Sequence, residues 1–228
     1  NMRISLFIIC FICFSMIQAQ DWKDSWNTFI SEVQTQDFEK AIQSGEKVLD
    51  AIGKKDTNYT NVLYYIEYCH FYLKNYEQAI SLAREERALR KQLQGVNHPK
   101  YMTATYDLAV YLTYIGSYSE AEKLMTEVLE LVESQYGKEN ISYINILAQL
   151  ANIYHLGGTI KQADIRYTEL LDLAKSIYQE NDSAYKNVVN TVSAFYTSTG
   201  NYEKAEPFFL DALKMLENYY GKNSQDYL

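Results

Sequence analysis

The sequence has little that would break, staple or metallate a chain. Two prolines and nine glycines in 228 residues exclude collagen-like and Pro/Gly-rich disordered architectures. Three cysteines and three histidines, His70, His98 and His155, lie at no metal-ligand spacing, and HExxH, GxSxG and phosphate-binding glycine-loop patterns are all missing. Positive charge is scarce too. Lys and Arg number 21 against 29 Asp and Glu, a net charge of -8 with no basic block, which argues against nucleic acid or anionic lipid as a charge-driven partner. The chain is therefore read as non-enzymatic, without cofactor or metal. Tyrosine is what it has in excess, with 22 copies.

The first nineteen residues read as a targeting segment. Arg3 is their only charge, an apolar stretch runs from Ile4 to Ile17, and Gln18-Ala19 offers a small residue at a cut site, the pattern of a secretory signal peptide. That stretch rises about 21 Å as a helix against a hydrocarbon core of ~30 Å, so a cleaved signal is favoured over a retained anchor. Cys10 and Cys13 do not sit in a lipoprotein-type box. Loss of residues 1–19 removes one positive charge and no acid, moving the net charge from -8 to -9, and leaves Cys69 as the only cysteine. The expectation is an exported protein, periplasmic or extracellular, with no membrane span after cleavage. Its fold is held by packing rather than by disulfides, and Cys69 is a buried structural thiol.

The rest is a repeat. Asn75-Tyr-Glu-Gln-Ala79, Ser117-Tyr-Ser-Glu-Ala121, Thr159-Ile-Lys-Gln-Ala163 and Asn201-Tyr-Glu-Lys-Ala205 begin 42 residues apart, and Asp37-Phe-Glu-Lys-Ala41 precedes them at a spacing of 38. Each opens on a residue suited to cap a helix N-terminus with its side chain, and three follow a glycine suited to a left-handed helix end. A second family of turns alternates with these at Gly95-Val-Asn-His-Pro99, Tyr136-Gly137, Tyr178-Gln179 and Tyr220-Gly221. The unit is thus helix A, turn, helix B, turn, with no strand candidate. Stripes at i, i+3, i+4, i+7 mark the packing face of helix A: Thr105, Leu108, Ala109, Leu112, then Leu147, Leu150, Ala151, Tyr154, then Val189, Val192, Ser193, Tyr196. Trp22, Trp26, Phe29 and Val33 form the first. In the second unit the same spacing would place Glu67 and His70 on the stripe. Shifting back by one gives Val62, Tyr65, Ile66 and Cys69, which suggests a longer turn there. The charged run Arg84-Glu-Glu-Arg87 with Arg90-Lys91 reads as a solvated helix face.

These motifs resemble tetratricopeptide repeats, in the long variety found in kinesin light chains: the Leu-Ala-Tyr helix A, the Gly-x-Tyr turn and the helix B alanine all match. The resemblance covers about residues 21–228. It implies an all-α, right-handed α-solenoid of antiparallel helix pairs over residues 20–222, with units near 21–56, 57–95, 96–137, 138–179 and 180–222 and residues 223–228 beginning a truncated sixth. It also implies a protein or peptide partner held on the concave face lined by the A helices. One helical face of helix A gives Thr103, Tyr106, Val110, Thr113 and Tyr114, then Asn145, Ala148, Asn152, His155 and Leu156, then Asn187, Asn190, Ala194, Thr197 and Ser198. None is an acid, lysine or arginine, which disfavours a carboxylate clamp. The candidate peptide-binding residues are Tyr106, Thr113, Tyr114, Asn145, Asn152, His155, Asn187, Asn190 and Thr197, with Asn152 at the helix A asparagine of peptide-binding family members. The alternative is that the array is the N-terminal sensing arm of a longer effector, such as a caspase-like protease or a signalling protein, whose active domain lies beyond Leu228.

Overall fold

The computed structural model describes residues 22–210 apart from positions 53, 55, 180 and 181. The signal segment 1–19 and the sixth-unit residues 223–228 lie outside the described residues. Every regular element among the described residues is an α-helix: α1 (22–34), α2 (Phe38–Ala51), α3 (Thr57–Tyr72), α4 (Tyr76–Gln94), α5 (Pro99–Tyr114), α6 (Tyr118–Tyr136), α7 (Ile141–Leu156), α8 (Ile160–Ile177), α9 (Ser183–Ser198) and α10 (202–210). The A helices α3, α5, α7 and α9 are each 16 residues long and start 42 residues apart. Packing runs between consecutive helices, as in an array of antiparallel pairs. The chain divides into two compact units, one ending at Leu124 and one starting at Met125. No described helix is long and apolar enough to cross a membrane.

The apolar stripes form the core. In the first unit Phe29, Ala41, Val48, Val62, Ile66 and Cys69 make one cluster, with Trp22, Trp26 and Val33 against it. The motif alanines Ala41, Ala79, Ala121, Ala163 and Ala205 are fully or almost fully buried. Gly45, inside α2, permits the same close approach from the other side, since a Cβ there would lie 2.8 Å from Ile66 and 2.9 Å from Phe29. Burial also pushes the Cys69 thiol up to about 11, as a structural cysteine requires.

Three expectations are corrected. The residues opening α2, α4 and α8 (Asp37, Asn75 and Thr159) make no side-chain cap. Their turns are closed by the backbone instead: Asn75, Ser117, Thr159 and Asn201 donate their N–H groups to the carbonyls of His70, Leu112, Tyr154 and Tyr196, after a left-handed residue. Side-chain caps occur at the A helices, where Asp56, His98 and Asn140 accept from Asn58, Lys100 and Ser142. The second unit contains no longer turn. Lys74 takes the left-handed conformation that glycine takes in later copies (φ 62°), and α3 keeps the register of α5. Glu67 therefore does lie on the packing stripe, fully buried. Nor is the Arg84–Lys91 run a solvated face throughout, because Glu86 and Arg90 are buried.

Candidate functional site

Of the candidate residues, Tyr106, Thr113 and Tyr114 belong to α5 in the first unit. Tyr106 is half-buried, and burial raises its phenol above the usual tyrosine range. Tyr114 is 63% exposed and closes an aromatic group at the C-terminal ends of the A helices. Its ring lies edge-on to Phe71 at 4.8 Å and parallel to Tyr76 at 6.1 Å, and Phe71 stacks on Tyr111 at 4.6 Å. The group continues through Tyr72, Tyr68 and Phe38, which accounts for part of the tyrosine excess. Asn61, Tyr64, Tyr68 and Tyr72 occupy in α3 the places that Thr103, Tyr106, Val110 and Tyr114 occupy in α5. Sequence reasoning missed them because Glu67 disguised the register. The strict 42-residue spacing was the signal that could have found them.

In the second unit, α7 and α9 carry the remaining six candidates. Asn145, Asn187, Asn190 and Thr197 are exposed, and Asn152 and His155 are half-buried. The structure brings His155 and Ser198 together, with Nε2 at 3.2 Å from the serine Oγ and the imidazole edge-on to Phe195 at 5.2 Å. Two hydroxyls are less available than their side-chain type implies. Thr113 Oγ1 donates to Ala109 O and Thr197 Oγ1 to Ser193 O, each at 2.8 Å, so both offer a ligand acceptors only. The four amides differ: no hydrogen bond to another described residue engages the side chains of Asn145, Asn152, Asn187 or Asn190.

The second helix pair contains a polar insert unlike its neighbours. Glu67 stands where later A helices have Ala109, Ala151 and Ser193. Glu86 stands where later B helices have Val128 and Leu170, and Arg90 where they have Val132 and Ala174. All of these positions are buried. Arg90 donates through Nε to Glu86 Oε1, through Nη2 to Thr60 O and Asn61 Oδ1 at 3.3 Å each, and through Nη1 to Gln94 at 3.4 Å. One arginine does not satisfy the acids. Both oxygens of Glu67, Oε2 of Glu86 and Oδ2 of Asp107 are buried without a hydrogen-bond partner. Loss of hydration, reinforced by the charges of Glu86 and Asp107, holds Glu67 well above the usual carboxylate range. Burial lifts Glu86 to about 7 against the pull of Arg90, and lifts Asp107 to about 7. Among the described residues, no group of three or more His, Cys, Asp or Glu could hold a metal ion.

Comparison with known proteins settles the family. Tetratricopeptide repeat models match residues 61–134, 102–176 and 189–226. The chain belongs to the tetratricopeptide repeat family. Among solved structures it is similar to a kinesin-light-chain-like protein of Podospora anserina with nearly identical TPR-like repeats, at 13% identity and a TM-score of 0.76, covering 87% of this chain and 96% of that one. It is also similar to BtubC (BKLC) of P. vanneervenii, at 16% identity and a TM-score of 0.70 over 85% of this chain and 80% of that one. A third similar structure is a Rap protein complexed with competence and sporulation factor, at 14% identity and a TM-score of 0.61 over 91% of this chain and 61% of that one. No curated protein shows a significant match. The long kinesin-light-chain-like repeat is thus the fold of this protein, and tetratricopeptide repeats serve in general as scaffolds for protein–protein interaction.

Proposed function

We propose that this protein is an exported, non-enzymatic interaction scaffold that holds an extended protein segment against its A helices. The observation that carries this reading is the face of α7 and α9. Asn145, Asn152, Asn187 and Asn190 stand there with side-chain amides unspent among the described residues, at candidate positions that bear no acid, lysine or arginine. Each amide offers two donors and one acceptor. An extended backbone presents both kinds of group and needs both satisfied once covered. The complex recorded for the Rap protein of similar fold supports a binding role for such a scaffold, and the Arg3–Ala19 pattern supports export. The test is capture of partners from the exported fraction, followed by calorimetry on the purified pair. Asn152→Ala and Asn190→Ala each weaken binding by about tenfold, the loss of one backbone bond, with unchanged helicity. A partner that binds both variants as tightly as the parent refutes the amide face as the site.

A further inference from the structure

The polar insert opens onto a cavity of about 350 Å3 in the first unit. Its wall is formed by Trp26 of α1, Asn61, Tyr64 and Tyr65 of α3, Glu86 and Arg90 of α4, and Lys100 and Thr103 of α5. Trp26 stands edge-on to Tyr65 at 6.0 Å, and Tyr64 edge-on to Tyr65 at 5.0 Å, so the wall is an aromatic cluster with an acid set into it. Glu86 is 1% exposed, and its Oε2 has no partner. Glu67 and Asp107 add three more unpartnered carboxylate oxygens in the surrounding charge cluster. Once ionised, all four unspent atoms are acceptors. The two cations beside the cavity are engaged: Arg90 bonds Glu86, Thr60, Asn61 and Gln94, and Lys100 Nζ donates to Asn61 Oδ1 at 2.7 Å. Later helix pairs put Ala, Ser, Val or Leu at the three insert positions, so the fold itself does not require ionisable groups there.

We propose that this cavity is a subsite for a cationic side chain, the guanidinium of arginine or the ammonium of lysine, on a protein segment bound by the array. Aromatic faces and carboxylates together favour such a group, the former through the ring quadrupole and the latter through charge-assisted hydrogen bonds. An anionic ligand would meet unpaired acids. A neutral apolar side chain would leave Glu86 Oε2 orphaned at the cavity wall. Glu86, Tyr64, Arg90 and Lys100 line the cavity, and the titratable groups packed around Glu86 beyond that lining are Glu67 on α3 and Asp107 and Tyr111 on α5. Burial raises Tyr64 and Tyr111 and keeps them neutral, and the change of state is assigned to the carboxyls. A bound cation takes the place of protons that the cluster otherwise holds, and binding releases them.

The subsite deepens the scaffold reading, and its test separates the two. The probe is the peptide acetyl-Ala-Arg-Ala-amide, with citrulline replacing arginine as the neutral isostere. The signal is Trp26 fluorescence in the full chain carrying Trp22→Phe. Trp26 is then the sole tryptophan, since the chain has two. Saturable binding of the arginine peptide, at least about tenfold tighter than the citrulline peptide and weakening as pH falls from about 8 to about 6, is the expected result. Glu86→Gln removes the preference. Should that variant fail to fold, the two peptides still decide the matter on the parent chain. Equal binding of both peptides, or no saturable response to either, overturns the proposal. Failure of the subsite beside a partner that still needs Asn152 removes the cavity alone, and the converse removes the amide face alone.

Discussion

Replacing Glu67 by glutamine should stabilise this protein, and the gain should depend on pH. Glu67 is fully buried with neither oxygen bonded. Glutamine keeps its shape, removes the ionisable group, and brings two donors into a region where Glu86 Oε2 and Asp107 Oδ2 lack one. Leaving a buried polar group unsatisfied costs roughly 1–3 kcal/mol, and more when it is charged. Neighbouring Glu86 gives the scale: its rise from 4.5 to about 7 corresponds to about 3 kcal/mol above the folded value. The sign follows from proton binding. The folded state holds protons on Glu67, Glu86 and Asp107 at pH values where the unfolded chain has released them, so these groups contribute stability that is complete below about pH 4 and lost as pH rises, through about 7 for Glu86 and Asp107 and above the usual carboxylate range for Glu67. The exposed pairs work the other way: Glu120, Asp164 and Glu169 are held below the usual range, and their small contribution fades on acidification. Urea unfolding followed by tryptophan fluorescence reads the right region, because Trp26 contacts Phe29 and Tyr65 beside Glu67. Glu67→Gln should gain about 2–3 kcal/mol at about pH 8 and about 1 kcal/mol or less at about pH 5. A variant no more stable than the parent at the higher pH, or equally stabilised at both, refutes the reasoning.

Other outcomes follow from the same packing. Ala121→Leu inserts bulk at a fully buried contact and should destabilise by about 1–3 kcal/mol in thermal unfolding, whereas a neutral effect would mean that the helices can separate there. Lys74→Gly relieves a left-handed lysine at φ 62° and should raise stability by about 0.5–1 kcal/mol, with loss of stability as the contrary result. The buried Cys69 thiol, pushed up to about 11, should react with a disulfide reagent only as the chain unfolds; labelling of the native protein at the rate of a free thiol would contradict its burial. N-terminal sequencing of exported material should begin near Gln20, and a membrane-bound product retaining Met2 would overturn the signal reading.

Much of the fold could be read from the sequence because a repeat supplies its own controls. Five motif alanines in register, and stripes such as Leu108-Ala109-Leu112, fixed the helix pairs before any coordinates, and they bury as expected. Residue type is a poorer guide than place in the repeat at the positions where sequence and structure differ. Acids seldom go fully buried, so residue type alone points Glu67 off the packing stripe and Glu86 to a solvated face, whereas both are buried. Asp37, Asn75 and Thr159 were given capping roles that their backbone turns fill instead. The amide face was legible as a pattern, but the spent donors of Thr113 and Thr197 were not, since a hydroxyl bond to its own helix leaves no trace in sequence. The array also explains why the polar insert is informative. In a single-copy fold, a buried Glu–Arg pair has no reference, and replacing such a pair by apolar residues is often neutral or stabilising. Here the reference is within the chain: Val128 and Val132, then Leu170 and Ala174, fill the same places apolarly. An array that closes its core without charge in later pairs, yet leaves Glu86 Oε2 unpartnered at the wall of an aromatic-lined cavity, is what the proposed cationic subsite would explain, beside the proposed amide face.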